Sequence, residues 1–254
     1  MTDTLKARMA RGDRLVGTFL KTPAYEVVEV LGRSRLDFLC LDAEHAAFDR
    51  ARMDACLAVG RALGVPMLVR VPSGSPERVL MTLDAGATGV VVPHVDGVEK
   101  ARALARSARF GHGGRGFAGS TRWAGFATRT MADVLAQSGT ETVVIAQIEE
   151  PEGVEAAEGI AALDGIDALF VGPADLAVSL GAPGPNDPAV LTAMAHVGRA
   201  AKAAGKPLVT WTAGPANRAA LEEAGVTMFF VASEHAWMLA GANAVAEGFA
   251  EGSA

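Results

Sequence analysis

The chain has 254 residues, 50% of them hydrophobic, which is enough apolar material for one large core or two small ones. Aromatics contribute only 6%, so the core falls mostly to Ala, Val and Leu, while 29 glycines and 12 prolines imply many tight connections. A formal net charge of -6 with scattered basic residues gives no case for nucleic acid, and no apolar run reaches the roughly 18 residues of a membrane span.

The N-terminal stretch MTDTLKARMARGD lacks the apolar region of a secretory signal, so the expected location is the cytoplasm. Short apolar runs then recur along the whole chain. In order they are LVGTFL (15–20), DFLCLD (37–42), PMLVRV (66–71), TGVVVP (88–93), VVIAQI (143–148), DALFVG (167–172), KPLVTW (206–211) and TMFFVA (227–232). Near-continuous apolar character suits parallel strands covered on both faces. Ala-rich segments of helical period lie between most of them, and several end in Gly just before the next strand, as a helix C-terminus does. The two cysteines, Cys40 and Cys56, stand in apolar surroundings and read as buried free thiols.

Eight strands alternating with helices predict an α/β fold, a single (β/α)8 TIM barrel spanning residues 1–254. A doubly wound sheet is the competing architecture, but it calls for a Gly-rich phosphate turn after an early strand, and none is present. The Gly-dense stretch GHGGRGFAG (111–119) lies inside an unusually long connection between the fourth and fifth strands, which marks a functional or disordered segment. The tail EGFAEGSA (247–254) is expected to fray. The apolar, charge-poor segment EHAWMLAGANAVAEGFA (234–250) would be poorly covered in a monomer and points to oligomer contacts.

In a barrel the chemistry sits where the strands end. The second strand ends in Asp42, Glu44 and His45; the third carries Arg70; the fourth ends at Pro93 and His94; the fifth at Gln147 and Glu149; the sixth at Asp175; the seventh at Trp211 and Thr212. The other rim is mostly Gly, Asp, Lys and Pro of ordinary turns. Each group also has a plainer reading. Asp175 precedes a helical segment and suits a cap. Glu149 could bridge to Arg70, and Arg70 could be satisfied by backbone carbonyls. His45 or His94 alone would be an ordinary polar residue. The convergence of independent strand ends on one rim favours a site.

FLCLDAEHAAFD, LVRVP, LDAGATGVVVPHV, GGRGFAGSTRW, AQIEEPEGVE and FVGPADLAVSLG resemble, in order and spacing, the HpcH/HpaI aldolases, over residues 12 to 235. The resemblance implies a metal-dependent class II aldolase acting on pyruvate, hydroxypyruvate or a similar 2-oxo acid together with an aldehyde, to form and cleave 4-hydroxy-2-oxo acids through an enolate. It implies that Glu149 and Asp175 hold a divalent cation, Mg2+, Mn2+ or Co2+. Gln147 and the backbone around Ala174 would bind the 2-oxo acid, His45 would be the base, made more basic by Asp84, and Arg70 would stabilise developing charge. It further implies a homo-oligomer, often a hexamer. Phe19 stands where the family frequently has Trp, and TWTAG (210–214) replaces a more aliphatic stretch, so Thr212 and its neighbours would shape the aldehyde pocket.

Elementary chemistry points the same way. Two carboxylates without Cys or His beside them suit a hard cation, which acts as a Lewis acid on a carbonyl. An arginine can donate to an enolate oxygen. Histidine is the residue type suited to taking a hydroxyl proton near neutrality. Gly172 lets a ligand approach the backbone, and the helix after Pro173 offers free N–H groups to a carboxylate. An imine mechanism needs a lysine at the mouth, and of the five lysines only Lys21, just after the first strand, qualifies by position. A second enzymatic reading is an acyl-CoA lyase or thioesterase like the citrate-lyase β-subunit relatives, with Arg115 and Arg122 of the long loop serving a phosphate. A third is a barrel that senses a 2-oxo acid without turnover.

Overall fold

The computed structural model describes residues 3–250. Eight parallel strands close on themselves in sequence order. They are β1 (Leu15–Leu20), β2 (Phe38–Asp42), β3 (Met67–Arg70), β4 (Gly89–Val92), β5 (Val143–Ile148), β6 (Ala168–Val171), β7 (Leu208–Thr212) and β8 (Val226–Ser233). Every apolar run read from the sequence forms one of them, and β1 pairs with β8 to complete the cylinder. The fold is a (β/α)8 barrel, and the doubly wound sheet is excluded.

The helices are α1 (Leu5–Ala10), α2 (Tyr25–Leu31), α3 (Arg50–Leu63), α4 (Pro76–Asp84), α5 (Val98–Ala108), α6 (Met131–Glu141), α7 (Pro151–Glu155), α8 (Ala157–Ala161), α9 (Pro173–Ser179), α10 (Pro188–Ala203), α11 (Arg218–Glu223) and α12 (Glu234–Ala250). Their ends follow from local chemistry. Asp49 caps the first turn of α3 by accepting from Arg52 N–H, and Gly64 ends that helix in the left-handed region at φ 72°. Ser75 and Asp187 cap α4 and α10, each followed by a proline at the first helical position, where a missing N–H costs nothing.

Alternation along the strands divides the core in two. Leu39, Leu41, Val69, Val90, Val144, Leu169 and Val171 face outward into the helix layer. Leu15, Phe38, Leu68, Val91, Ile145, Phe170, Met228 and Phe230 fill the barrel interior. Ala, Val and Leu dominate the outer layer as composition implies, but the interior is plugged by aromatics. The Phe230 ring lies 4.8 Å from Phe19 and Phe38 and 4.9 Å from Phe170, centroid to centroid. Cys40 and Cys56 are both buried and free. Burial pushes both thiols up, Cys56 to about 11.

The long connection between β4 and β5 is ordered and packs around one arginine. Arg115 is buried, its guanidinium 4.5 Å from the Phe110 ring centroid and 5.1 Å from Trp123. Trp123, Ala124 and Val134 make a small core of their own there. At the other end of the chain, α12 is buried only at Glu234, and Met238, Leu239, Val245 and Phe249 are largely exposed. It is helical as far as Ala250, where a frayed tail was expected; residues 251–254 lie outside the described ones. Among the described residues no helix is long and apolar enough to cross a membrane.

Candidate active site

Side chains that a barrel core cannot hold collect where the strands end. The register of β2 against β3 sets Asp42 opposite Arg70. Asp42 is fully buried and accepts four hydrogen bonds. Arg70 donates from Nε at 3.0 Å and from Nη2 at 2.9 Å, Lys21 Nζ at 2.8 Å, and the His45 N–H at 3.1 Å. Burial alone would raise this carboxyl; the donors, Arg70 foremost, outweigh it and hold it at about 2. Burial also works against the Arg70 charge, and Asp42 overrides it in the same way. The guanidinium carbon sits 4.3 Å from the centroid of the Phe19 ring, and Nε is 3.3 Å from Glu44 Oε2. Arg70 is thus satisfied by carboxylates, neither by backbone carbonyls nor by Glu149.

β5 delivers Gln147 and Glu149, 1% and 2% exposed. The Gln147 side-chain amide donates to Glu149 Oε2, and the His94 backbone N–H donates to Oε1 at 2.8 Å. Burial raises the Glu149 carboxyl. Gln147 and the His94 N–H draw it back down, and nearby Asp175 pushes it up again, leaving it raised overall. Glu44 is raised as well, first by burial, against the pull of Arg70.

The sixth strand end explains its glycine. A Cβ at position 172 would stand 3.0 Å from Glu149 Oε2 and 3.2 Å from Gln147 Nε2, so a side chain there would crowd both. Gly172 is also the N-cap of α9, with no capping side chain; Asp175 sits in the first turn, exposed, and does not cap the helix.

These groups surround a cavity of about 510 Å³. His45, Arg70, Gln147, Gly172, Pro173, Ala174 and Asp175 all line it. Glu149 lies behind Gln147 and Gly172. Two predicted residues are elsewhere. Thr212 lines an adjoining cavity of about 590 Å³, and its hydroxyl is engaged with Gly214 O at 2.9 Å and Asn217 Oδ1 at 2.8 Å. Asp84 ends α4, and a helix that runs antiparallel to its strand returns the chain to the opposite rim. There its carboxylate pairs with Arg115 Nη2 at 2.5 Å and, within the chain, does not meet His45. The second loop arginine, Arg122, pairs with Asp54 at 2.9 Å. Both arginines assigned to a phosphate are therefore committed to carboxylates away from the mouth.

Sequence reasoning missed other members. Lys21, weighed only as an imine former, lines the cavity with its Nζ bonded to Asp42. Ser233 follows it there from β8. Glu234 is 2% exposed and accepts from the Lys21 and Thr22 N–H groups, at 2.9 and 2.6 Å. An acid directly after an apolar strand was the signal that singled out Glu149; Glu234 carries the same signal at β8.

The residues fit a divalent cation. Gln147 Oε1 and Glu150 Oε2 are buried acceptors without a hydrogen-bond donor. Buried acceptors are ordinarily paired, and oxygen atoms in this state are the ligands a hard cation takes.

The HpcH/HpaI aldolase/citrate lyase family model matches residues 15–240. A hydroxypyruvate/pyruvate aldolase of Paraburkholderia phytofirmans is 34% identical over 94% of both chains. A 5-keto-4-deoxy-D-glucarate aldolase of Enterobacter sp. is 33% identical over 80% of this chain and 79% of its own. The crystal structure of a family protein from Burkholderia cenocepacia is 34% identical and superposes with a TM-score of 0.91 over 98% of this chain and 99% of that one. The chain belongs to the HpcH/HpaI aldolase/citrate lyase family and is a carbon–carbon lyase.

Proposed function

We propose that the protein is a divalent-cation-dependent aldolase that cleaves and forms 4-hydroxy-2-oxo acids, with pyruvate or hydroxypyruvate as the donor. The observation that carries this reading is the buried Glu149 carboxylate beside Gln147, whose carbonyl oxygen has no donor, next to a cavity lined by Arg70, His45 and Asp175. The named relatives support the same donor class.

Glu149 and Asp175 would hold the cation, Mg2+, Mn2+ or Co2+. When bound, it supplies Lewis-acid polarisation of the 2-oxo carbonyl. The chain's own groups do the rest. Gln147 and the backbone from Gly172 to Ala174 receive the carboxylate end of the donor. The Arg70 guanidinium, fixed by Asp42, offers its remaining N–H groups to the oxygen on which enolate charge develops. Being already oriented, it needs no reorganisation at the moment of reaction. His45 stands at the mouth with its backbone N–H tied to Asp42 and its ring half-exposed. That placement suits it to take the proton of the C4 hydroxyl in cleavage and return it in condensation. Phe19 and Trp211 form the apolar wall toward the aldehyde.

The exposed apolar residues of α12 support a homo-oligomer in which this helix is covered by another copy. The acyl-CoA reading loses its phosphate ligands, since Arg115 and Arg122 are already ion-paired. A matrix of 2-oxo acid donors against aldehydes, run on chelator-treated enzyme with each cation restored in turn, tests the proposal. Activity only with a cation and a pyruvate-type donor supports it, and full activity in excess chelator overturns it.

A further inference from the structure

Lys21 has no part in the proposed reaction, yet it is held at both ends. Along β1 Phe19 faces the barrel interior and Leu20 the helix layer, so alternation returns Lys21 to the inner side, at the mouth. Its backbone N–H, with that of Thr22, donates to Glu234, a buried carboxylate directly after β8. At the far end of the side chain Nζ donates to Asp42 Oδ2 at 2.8 Å. Asp42 already holds the Arg70 fork and the His45 N–H, so its charge is met without the lysine. An ammonium has three N–H donors, and among the described residues Lys21 spends one, on Asp42. The side chain is 32% exposed and lines the cavity.

In the closed barrel β1 lies across the cylinder from β5. The proposed reaction keeps the donor on β5 and β6, so Lys21 stands on the acceptor's side. Apart from Ser233, the rest of that wall is apolar, made by Phe19, Trp211, Ala213, Ala232 and Ala236. A cation set in an apolar wall selects an anion, because charge-assisted hydrogen bonds are the strong ones and a few placed polar groups fix a ligand's orientation. The length of the acceptor is bounded as well. His45 and Lys21 meet the two oxygens of one carboxylate, the His45 N–H on Asp42 Oδ1 and Nζ on Oδ2. We infer that Lys21 sets the choice of acceptor by binding a carboxylate that the aldehyde carries a short chain away from its carbonyl. This rests on the proposed aldolase function and deepens it: the compounds cleaved are 4-hydroxy-2-oxo diacids. Held at both ends, the lysine has little freedom left to lose on binding.

The experiment measures kcat/KM on the full chain with added cation, pyruvate as donor and acceptors in matched pairs: glyoxylate against acetaldehyde, and 4-oxobutanoate against butanal. The expected result is that Lys21→Met lowers the charged-to-neutral ratio in at least one pair by roughly tenfold or more, the worth of a hydrogen bond to a charged group. Lys21→Arg, which restores the charge, keeps most of that ratio. A lysine with a merely structural role would depress both members of a pair alike, so an unchanged ratio in both pairs for Lys21→Met overturns the inference and leaves the aldolase function standing. Lys21→Gln retains a donor for Asp42 without the charge and gives the same reading should Lys21→Met not fold. No turnover by the natural protein with any of the aldehydes overturns the function and this inference together.

Discussion

Asp42 and Arg70 are register partners on β2 and β3, and their side chains are joined by two parallel hydrogen bonds of 3.0 and 2.9 Å inside the barrel mouth. A fork of this kind fixes the guanidinium plane as well as its position. It also makes each partner dependent on the other, because a single buried charge left behind is costly. Arg70→Ala should lower stability by about 3–5 kcal/mol in urea unfolding. The pair has a pH signature too. The Asp42 carboxyl is depressed to about 2 in the folded protein, against about 3.9 in an unfolded chain. Its contribution, on the order of 2 kcal/mol, is present above about pH 4 and lost as pH falls through about 2. Asp42→Asn should remove that step from the stability profile between those limits; an unchanged acid slope would show that other groups carry it.

Lys21 Nζ donates to Asp42 at 2.8 Å, and its backbone N–H donates to Glu234. On the proposed cation mechanism this amine binds Asp42 and forms no imine. Borohydride added with pyruvate should leave the protein mass and the activity unchanged. Lys21→Ala should cost less than the roughly 10²-fold that loss of an acid–base group produces. A reduced adduct on lysine in mass spectrometry would replace the mechanism.

His45 should separate two reactions that share an enolate. Aldol cleavage requires loss of a hydroxyl proton, so His45→Ala should lower its kcat by roughly 10²- to 10⁴-fold. Oxaloacetate decarboxylation has no such proton and should fall far less. Arg70→Lys keeps the charge but not the fork, and should impair both. Equal losses in both reactions for His45→Ala would remove it from the role of base.

Most of the barrel was legible because each buried strand is a short apolar run bounded by turn residues, and all eight runs sit where they were read. The mouth was legible for a related reason. Gln147, Glu149 and Arg70 are polar groups attached to apolar strands, a conflict with the core that their placement at the strand ends relieves. What the sequence does not carry is which polar group meets which. Nothing in the spacing pairs Arg70 with Asp42 rather than with Glu149; that follows from strand register. Nor does spacing tell that α4 carries Asp84 back to the opposite rim, where it meets Arg115, or that Thr212 turns into the neighbouring cavity. Nor does spacing place the His94 ring, whose position beside Glu149 and Glu150 depends on one left-handed backbone angle.

The surface of α12 makes a prediction about assembly. Met238, Leu239 and Val245 are each 64% exposed and Phe249 is 82% exposed. An apolar face of this kind is ordinarily covered by a partner. Light scattering at micromolar concentration should report a multiple of the 26.1 kDa chain. Met238→Glu combined with Phe249→Glu should shift the mass downward. A monomeric mass for the natural protein would contradict the assignment of this helix to a subunit contact.

The central claim is that a cation at Glu149 and Asp175, assisted by Arg70, lets this barrel labilise the protons beside a 2-oxo carbonyl. Exchange of the pyruvate methyl protons in D2O, followed by NMR without any aldehyde, reads that step alone. The account predicts no exchange above background after chelation, recovery on adding Mn2+, Co2+ or Mg2+, and severe loss in Glu149→Gln with every cation. Undiminished exchange by the natural protein in excess chelator would contradict it.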